Sequence, residues 1–375
     1  MDAVTTFPPA PGPDSEDCLI SVDSHVFFTD DWVKERLPTN LREKFVEANN
    51  KFRADDAEKK GGWTPNINDL FDEVAWDDPG HFEPNAKIRS MDMDGVYSEV
   101  IFPEVGASRV CTPALLGSDW SKVLSGYNDA MADFASVNPD RLMCAYQLLP
   151  YDVEWSIKEV ERLAKLGARC VQLPPYPTES GLKDYFDKSY YKLWGAIQDT
   201  GLTVLNHLDA NEKQYDLIKR DPTEQRAVAL GMTVFQMAEV ISFWILPGVM
   251  EDFPKLKVVF VEPGLGWLPF LFDTILDGRI IQGHYKFPHL KKLPSEYFKE
   301  QMGATFMYEP LGLKSAYDYF GPDCLMWSTD FPHPATSWPR SREHADKQFA
   351  AAGISGIDKR KMVCDNGLKM FGLKK

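Results

Sequence analysis

The chain lacks paired cysteines. Its six, Cys18, Cys111, Cys144, Cys170, Cys324 and Cys364, are scattered with no CxxC spacing and lie mostly in apolar runs. That pattern argues against a thiolate metal site and reads as reduced core residues in a cytoplasmic setting. No apolar run continues for 18 residues. The stretch Met1 to Asp17 has neither a basic n-region nor an apolar h-region, so neither a membrane span nor a signal peptide is expected. Positive charge is also in short supply: 41 Lys and Arg stand against 56 Asp and Glu, a formal net charge of -15. Phosphate backbones and anionic membranes would be repelled, which argues against nucleic acid and membrane surfaces as main partners; a small-molecule substrate is the expectation. Finally, no GxGxxG follows any strand, since Gly264-Leu265-Gly266 lacks the third glycine, and a dinucleotide-binding open sheet is disfavoured.

What is present is core material and turns. Hydrophobic residues make up 44% of the 375, aromatics 13%, and 27 prolines with 25 glycines imply many defined turns. Residues 1–17 read as a flexible arm and 18–375 as one large domain. Within it, Asp30 to Asn85 is acidic and aromatic with weak periodicity apart from a helix near Asn40 to Ala57, and reads as an insertion after the first strand. Its Trp32, Trp63, Phe71 and Trp76 either line a pocket or anchor the loop.

From Ala86 onward short apolar strands alternate with helices. Ser118 to Val137 is helical and stops at Asn138-Pro139; Asp152 caps a helix that ends at Gly167; Ser189 to Thr200, Thr223 to Met250 (broken at Pro247-Gly248), 267–276 and 311–319 follow. Eight strand runs end at Asp23, Phe102, Leu149, Leu173, His207, Glu262, Tyr308 and Asp330. Eight such units predict an α/β fold of the (β/α)8 TIM-barrel type, whose strand ends converge on one face.

That convergence gathers Asp23, His25, His207, Glu262 and Asp330 although they span most of the chain. Imidazole nitrogens with carboxylate oxygens suit Zn, Mn or Fe, as one ion or two, and the acids at the tips of apolar strands are hard to dismiss because an unpaired buried carboxylate is costly. Glu262, Asp330 and His333 are the candidate catalytic residues, with His333 either a shuttle or the group that orients Asp330. Arg89, Trp267 and Phe331 are candidate pocket residues, and Arg340 and Arg342 are weaker ones for a carboxylate. His81, His284, His289 and His344 read as surface residues, with His81 within reach of the pocket from the insertion.

Several segments carry a family resemblance: Val22-Asp23-Ser24-His25, Arg89-Ser90-Met91-Asp92-Met93-Asp94-Gly95-Val96, Tyr127-Asn128-Asp129, Asn138-Pro139-Asp140-Arg141-Leu142, Phe253 through Pro269, and Ser328-Thr329-Asp330-Phe331-Pro332-His333. In this order they resemble the amidohydrolase-related metal-dependent hydrolases of the aminocarboxymuconate semialdehyde decarboxylase type, a TIM-barrel family. The resemblance implies metal ligands at Asp23, His25, His207 and Asp330, and pairing as a homodimer. Many members carry a histidine where this chain presents Glu262, which makes Glu262 a further ligand or a general base. A metal-dependent hydrolase acting on an aromatic or carboxylated substrate is the first expectation. A non-oxidative decarboxylase of an aromatic or unsaturated acid is the second, and a non-catalytic metal-binding barrel the third.

Overall fold

A computed structural model describes residues 7–63, 73–104 and 106–374. Residues 1–6 of the expected arm and 64–72 of the insertion, Phe71 among them, lie outside the described residues.

Among the described residues, eight parallel strands form the barrel. β1 is split into Leu19–Ser21 and His25–Val26; β2 is Val96–Pro103; β3 is split into Leu142–Cys144 and Tyr146–Gln147. β4 is Cys170–Gln172, β5 Thr203–His207, β6 Lys257–Val261, β7 Met302–Phe306 and β8 Leu325–Trp327. The cores of β5 and β6 are near-continuous Val, Leu and Phe because a parallel strand covered by helices is buried on both faces. The first half of β3 pairs with β2 and the second half with β4, so the interruption at Ala145 hands the sheet from one neighbour to the next.

The ring closes between β1 and β8. Val22 N–H donates to Trp327 O at 3.1 Å, Asp330 N–H to Asp23 O at 3.1 Å, and His25 N–H to Phe331 O at 2.6 Å. On the far side β5 and β6 pair in parallel from Thr203↔Lys257 to His207↔Val261, which brings Glu262 beside His207. All the expected strand ends therefore face the same mouth.

The helices start and stop where local chemistry directs. Asp152 accepts the Trp155 N–H at 3.0 Å and caps Val153–Lys165. Glu83 caps Pro84–Asp94, which ends on left-handed Gly95. The single helix expected over Thr223 to Met250 is instead Ala227–Thr233, a short 3-10 turn at Val234–Gln236, Met237–Ile245 and Val249–Asp252. The start moves because the Asp221 carboxylate takes the N–H groups of Val228 and Ala229. Ala227–Ile245 is the one stretch among the described residues long and apolar enough to cross a membrane. It lies over the barrel with Met237, Ile241, Trp244 and Ile245 buried and Val228, Leu230, Met232 and Phe235 exposed.

In the insertion the helix expected near Asn40 to Ala57 is Thr39–Lys59, and Asp30–Lys34 and Glu73–Asp77 are helices besides. The long one buries only Leu41, Phe45, Ala48 and Asn49, too few positions for a clear apolar stripe. The arm also departs from expectation. Over residues 7–17 it is held to the barrel: Ala10 N–H donates to Asp92 Oδ1 at 2.9 Å, Arg360 Nη2 to Pro13 O at 2.6 Å, and Arg342 pairs with Asp17 at 3.2 Å.

At the barrel floor Arg141 ties β3 to β2. Its Nε donates to Tyr97 O at 2.7 Å and its Nη2 lies 2.8 Å from Asp92 Oδ1, with the side chain buried. Arg141→Met keeps the apolar stem and removes these bonds. It is expected to cost about 1.5–3 kcal/mol, read as a lower urea midpoint at unchanged slope; an unshifted midpoint would count against this tie.

Candidate metal centre

The β1–β8 seam and the end of β5 place the ligand candidates within a few ångströms of one another. His25 Nε2 lies 3.4 Å from Asp23 Oδ1 and 3.3 Å from Asp330 Oδ1, and His207 Nε2 lies 3.4 Å from the same Asp23 oxygen. Glu262 Oε2 is 3.7 Å from His207 Nε2. Four of these five residues are buried; Glu262 is half-buried, facing a cavity. Asp330 and Glu262 hold left-handed backbones, φ 55 and 58, a conformation worth on the order of 1–3 kcal/mol of strain for a non-glycine residue. Both acids turn off their strands at these points and into the mouth.

The buried polar atoms fit a divalent cation. Both Asp23 oxygens, both His25 ring nitrogens and His207 Nε2 have no hydrogen-bond partner among the described residues, although their neighbours lie within ion-pairing distance. Such atoms are expensive to leave unsatisfied. The donor separations match the edge of a coordination shell: ligand bonds of about 2.1 Å in a tetrahedron give edges of about 3.4 Å. His207 Nδ1 faces Leu208 O at 2.6 Å. A carbonyl only accepts, so Nδ1 carries the proton and Nε2 presents its lone pair to the cluster, the arrangement common for metal-bound histidine.

The electrostatics agree. Burial works against the Asp23 carboxylate, yet His207 and His25 hold it below the usual range. Burial would lower both imidazoles, but the surrounding carboxylates outweigh it: Asp23, Asp330 and Glu104 raise His25 well above its ordinary value, and Asp23 and Glu262 raise His207. Burial and the nearby Asp330 push Glu262 up to about 7. A divalent cation binds such imidazoles deprotonated and takes over the role of those protons.

Two contributors escape the sequence reading. Glu104, just past β2, has Oε2 3.3 Å from His25 Nδ1 and 3.1 Å from His333 Nε2. Burial opposes its ionisation, but the two histidines hold its carboxyl well below the usual range. Its signal, an acid following an apolar strand, is the one that marked Glu262. Lys87 lies behind the centre, fully buried, bonded to Ser24 Oγ, 2.7 Å from Glu99 Oε2 and 4.3 Å above the Phe331 ring. A lysine in a helical pattern reads as surface, and no sequence signal marks it.

His333 reaches Asp330 Oδ1 through Nδ1 at 2.7 Å and spans to Glu104, which suits it to orienting Asp330. Burial and His25 lower its affinity for a proton, but Asp330 and Glu104 prevail and raise it to about 10.

The pocket residues are corrected. Arg89 is exposed and pairs with Glu83 at 3.5 Å, because its helix turns that face to solvent. Trp267 donates its Nε1–H to Pro263 O at 2.8 Å and packs beside Phe235, outside the cavity. Phe331 is buried between Lys87 and Trp338. His81, expected at the surface, is buried and stacks on Trp76 at 4.4 Å. The cavity over the centre, about 350 Å³, is lined instead by His25, Glu104, His207, Glu262 and His333 at its base, with Phe102, Trp63, Leu208, Ile218 and Leu230 as apolar walls and Lys60, Arg109 and Gln172 as polar ones. Trp63 and Lys60 come from the insertion, and Arg109 is paired with Asp209.

A family model described as amidohydrolase matches residues 22–373. The chain belongs to the amidohydrolase family. Its fold is shared with 5-carboxyvanillate decarboxylase from Sphingomonas paucimobilis at a TM-score of 0.70 and 20% identity, covering 95% of this chain and 99% of the other. The 5-carboxyvanillate decarboxylase of Novosphingobium aromaticivorans, solved with manganese and 3-methoxy-4-hydroxy-5-nitrobenzoic acid, gives 0.71 and 16% over 98% and 100%. A dihydroxybenzoic acid decarboxylase from Polaromonas, with manganese and 2-nitroresorcinol, gives 0.67 and 18% over 95% and 97%.

For this amidohydrolase the metal test is direct. The purified chain is expected to retain a divalent transition metal, and chelation to lower its stability by about 2.7 kcal/mol relative to a solution holding the ion at 100 times its dissociation constant. His207→Ala is expected to weaken that binding by more than about 100-fold, beyond what loss of a supporting contact causes. Elemental analysis and calorimetry check both; a metal-free chain indifferent to chelation would refute the centre.

Proposed function

We propose that this amidohydrolase is a metal-dependent carboxy-lyase that removes CO2 from a small aromatic carboxylic acid without redox chemistry. The observation that carries the reading is Glu262: a carboxyl beside the ligand cluster, 3.7 Å from His207 Nε2, facing a cavity of about 350 Å³ with Phe102 and Trp63 in its walls. The decarboxylases that share the fold support it, and so does the manganese bound in two of them.

Asp23, His25, His207 and Asp330 would hold the ion, manganese in this proposal. A divalent cation in that position supplies binding and polarisation of anionic substrate oxygens. The protein's own residues do the rest. Phe102, Trp63 and Leu208 hold the ring and exclude water. His333 keeps Asp330 in place. Glu262 passes a proton to the ring carbon that bears the carboxylate; the bond to that carboxylate then breaks, its electron pair restores the aromatic ring, and CO2 leaves. Solvent returns the proton to Glu262. The hydrolytic reading uses the same residue in its ionised form, as the base that deprotonates an attacking water.

Mass balance separates the two. The manganese-loaded chain, offered a panel of hydroxybenzoic acids, is expected to release CO2 and leave the decarboxylated phenol; a product that gains water and keeps its carbon would return the hydrolytic reading. Glu262→Gln is expected to slow CO2 release by about 10²–10⁴-fold with metal binding retained, and full activity in that variant would remove Glu262 from proton transfer.

A further inference from the structure

β6 leaves the barrel through a turn that a glutamate does not readily adopt. Glu262 sits at φ 58 and Gly264 at φ 71, so the turn has to be held from outside. Two side chains from the neighbouring strand and its exit hold it. Thr305 of β7 accepts the Glu262 N–H on Oγ1 at 2.9 Å. Glu309, just beyond β7, accepts the Leu265 N–H on Oε1 and Oε2 at 3.0 and 2.9 Å, and the Gly266 N–H as well.

Glu309 is placed for this and not for its own helix. It is the N-cap of Pro310–Phe320, yet its side chain makes no capping bond there. Room for its carboxylate comes from Gly312, where a Cβ would fall on Glu309 Oε2 and 3.0 Å from Gly266 N. Its own backbone is fixed by Gln348, whose Oε1 accepts the Glu309 N–H at 3.3 Å while its Nε2 donates to Met307 O at 2.6 Å. Burial pushes the Glu309 carboxyl up to about 7 against the pull of the two amides. Packing alone would be better served there by a neutral side chain.

We infer that Glu309 is a positioning residue, whose carboxylate clamps the turn after β6 and so sets Glu262 against the ligand cluster, with Gly312 leaving the space for it. The catalytic meaning of the clamp rests on Glu262 transferring the proton in the proposed reaction; the hold on the turn does not.

Amide hydrogen exchange on the full-length, manganese-loaded chain reads the hold directly. Glu309→Ala is expected to speed exchange over residues 262–267 by at least about tenfold, with the ends of β1 and β5 unchanged. Gly312→Ala should have the same effect with the carboxylate displaced rather than removed, and Glu309→Gln, which keeps one acceptor oxygen, should fall between. A double-mutant cycle on CO2 release reads the link to Glu262: Glu309→Ala and Glu262→Gln should each slow the reaction, and the combined variant should be no slower than Glu262→Gln alone. Unchanged exchange in both alanine variants, or losses that multiply in the cycle, would overturn the assignment. A wild-type chain that releases no CO2 speaks against the carboxy-lyase reading, and the exchange comparison then decides the clamp by itself.

Discussion

The closure of the ring between β1 and β8 is the constraint on which the rest depends. Asp23 and His25 enter near one end of the chain and Asp330 near the other, and the hydrogen bonds across that seam set Asp23 and Asp330 within 3.4 Å of His25. The seam is also where β1 is interrupted, between Ser21 and His25, so the strand gives up regular pairing where its side chains are needed. Irregular backbone at the mouth, left-handed at Glu262 and Asp330, is tolerated because regular strands on either side fix what enters and leaves it.

Buried charge is the second theme. The ligand cluster concentrates carboxylates, and the protein places cations around them at two levels. Lys87 stands behind the cluster, tied to Ser24 between the two β1 ligand candidates and to Glu99. His333 bridges Asp330 and Glu104 in front. Charges in such surroundings are stable only when paired, and removal of one partner leaves the other stranded. The centre is thus supported on both sides, by Lys87 buried away from solvent and by His333 at the base of the cavity.

Most of the barrel was legible in the sequence because each strand is a short apolar run with a turn signal after it, and a parallel strand buried on both faces shows little else. Asp23, His25, His207 and Asp330 were legible for the same reason: a polar residue at the tip of an apolar run is conspicuous. Glu104 carries that signal too, but Pro103 before it reads as the end of the strand. Lys87 carries none, since burial of a helical lysine depends on what packs above it. Arg89, Trp267 and Phe331 were placed by residue type alone, and type does not say which way a side chain faces. In the insertion the long helix is legible to within two residues at either end, whereas Asp30–Lys34 and Glu73–Asp77 are too short to leave a periodic trace.

Part of the cavity wall reaches the candidate metal cluster from outside the barrel strands. The candidate ligands stand on strand ends locked by the ring, whereas Trp63 and Lys60 arrive on the tail of the Thr39–Lys59 helix and Leu230 on a separate helix above the mouth. Those wall residues can therefore change without moving a strand end that carries a candidate ligand. A smaller or larger side chain at Trp63, Lys60 or Leu230 re-sizes the chamber and leaves the residues at its base where they stand.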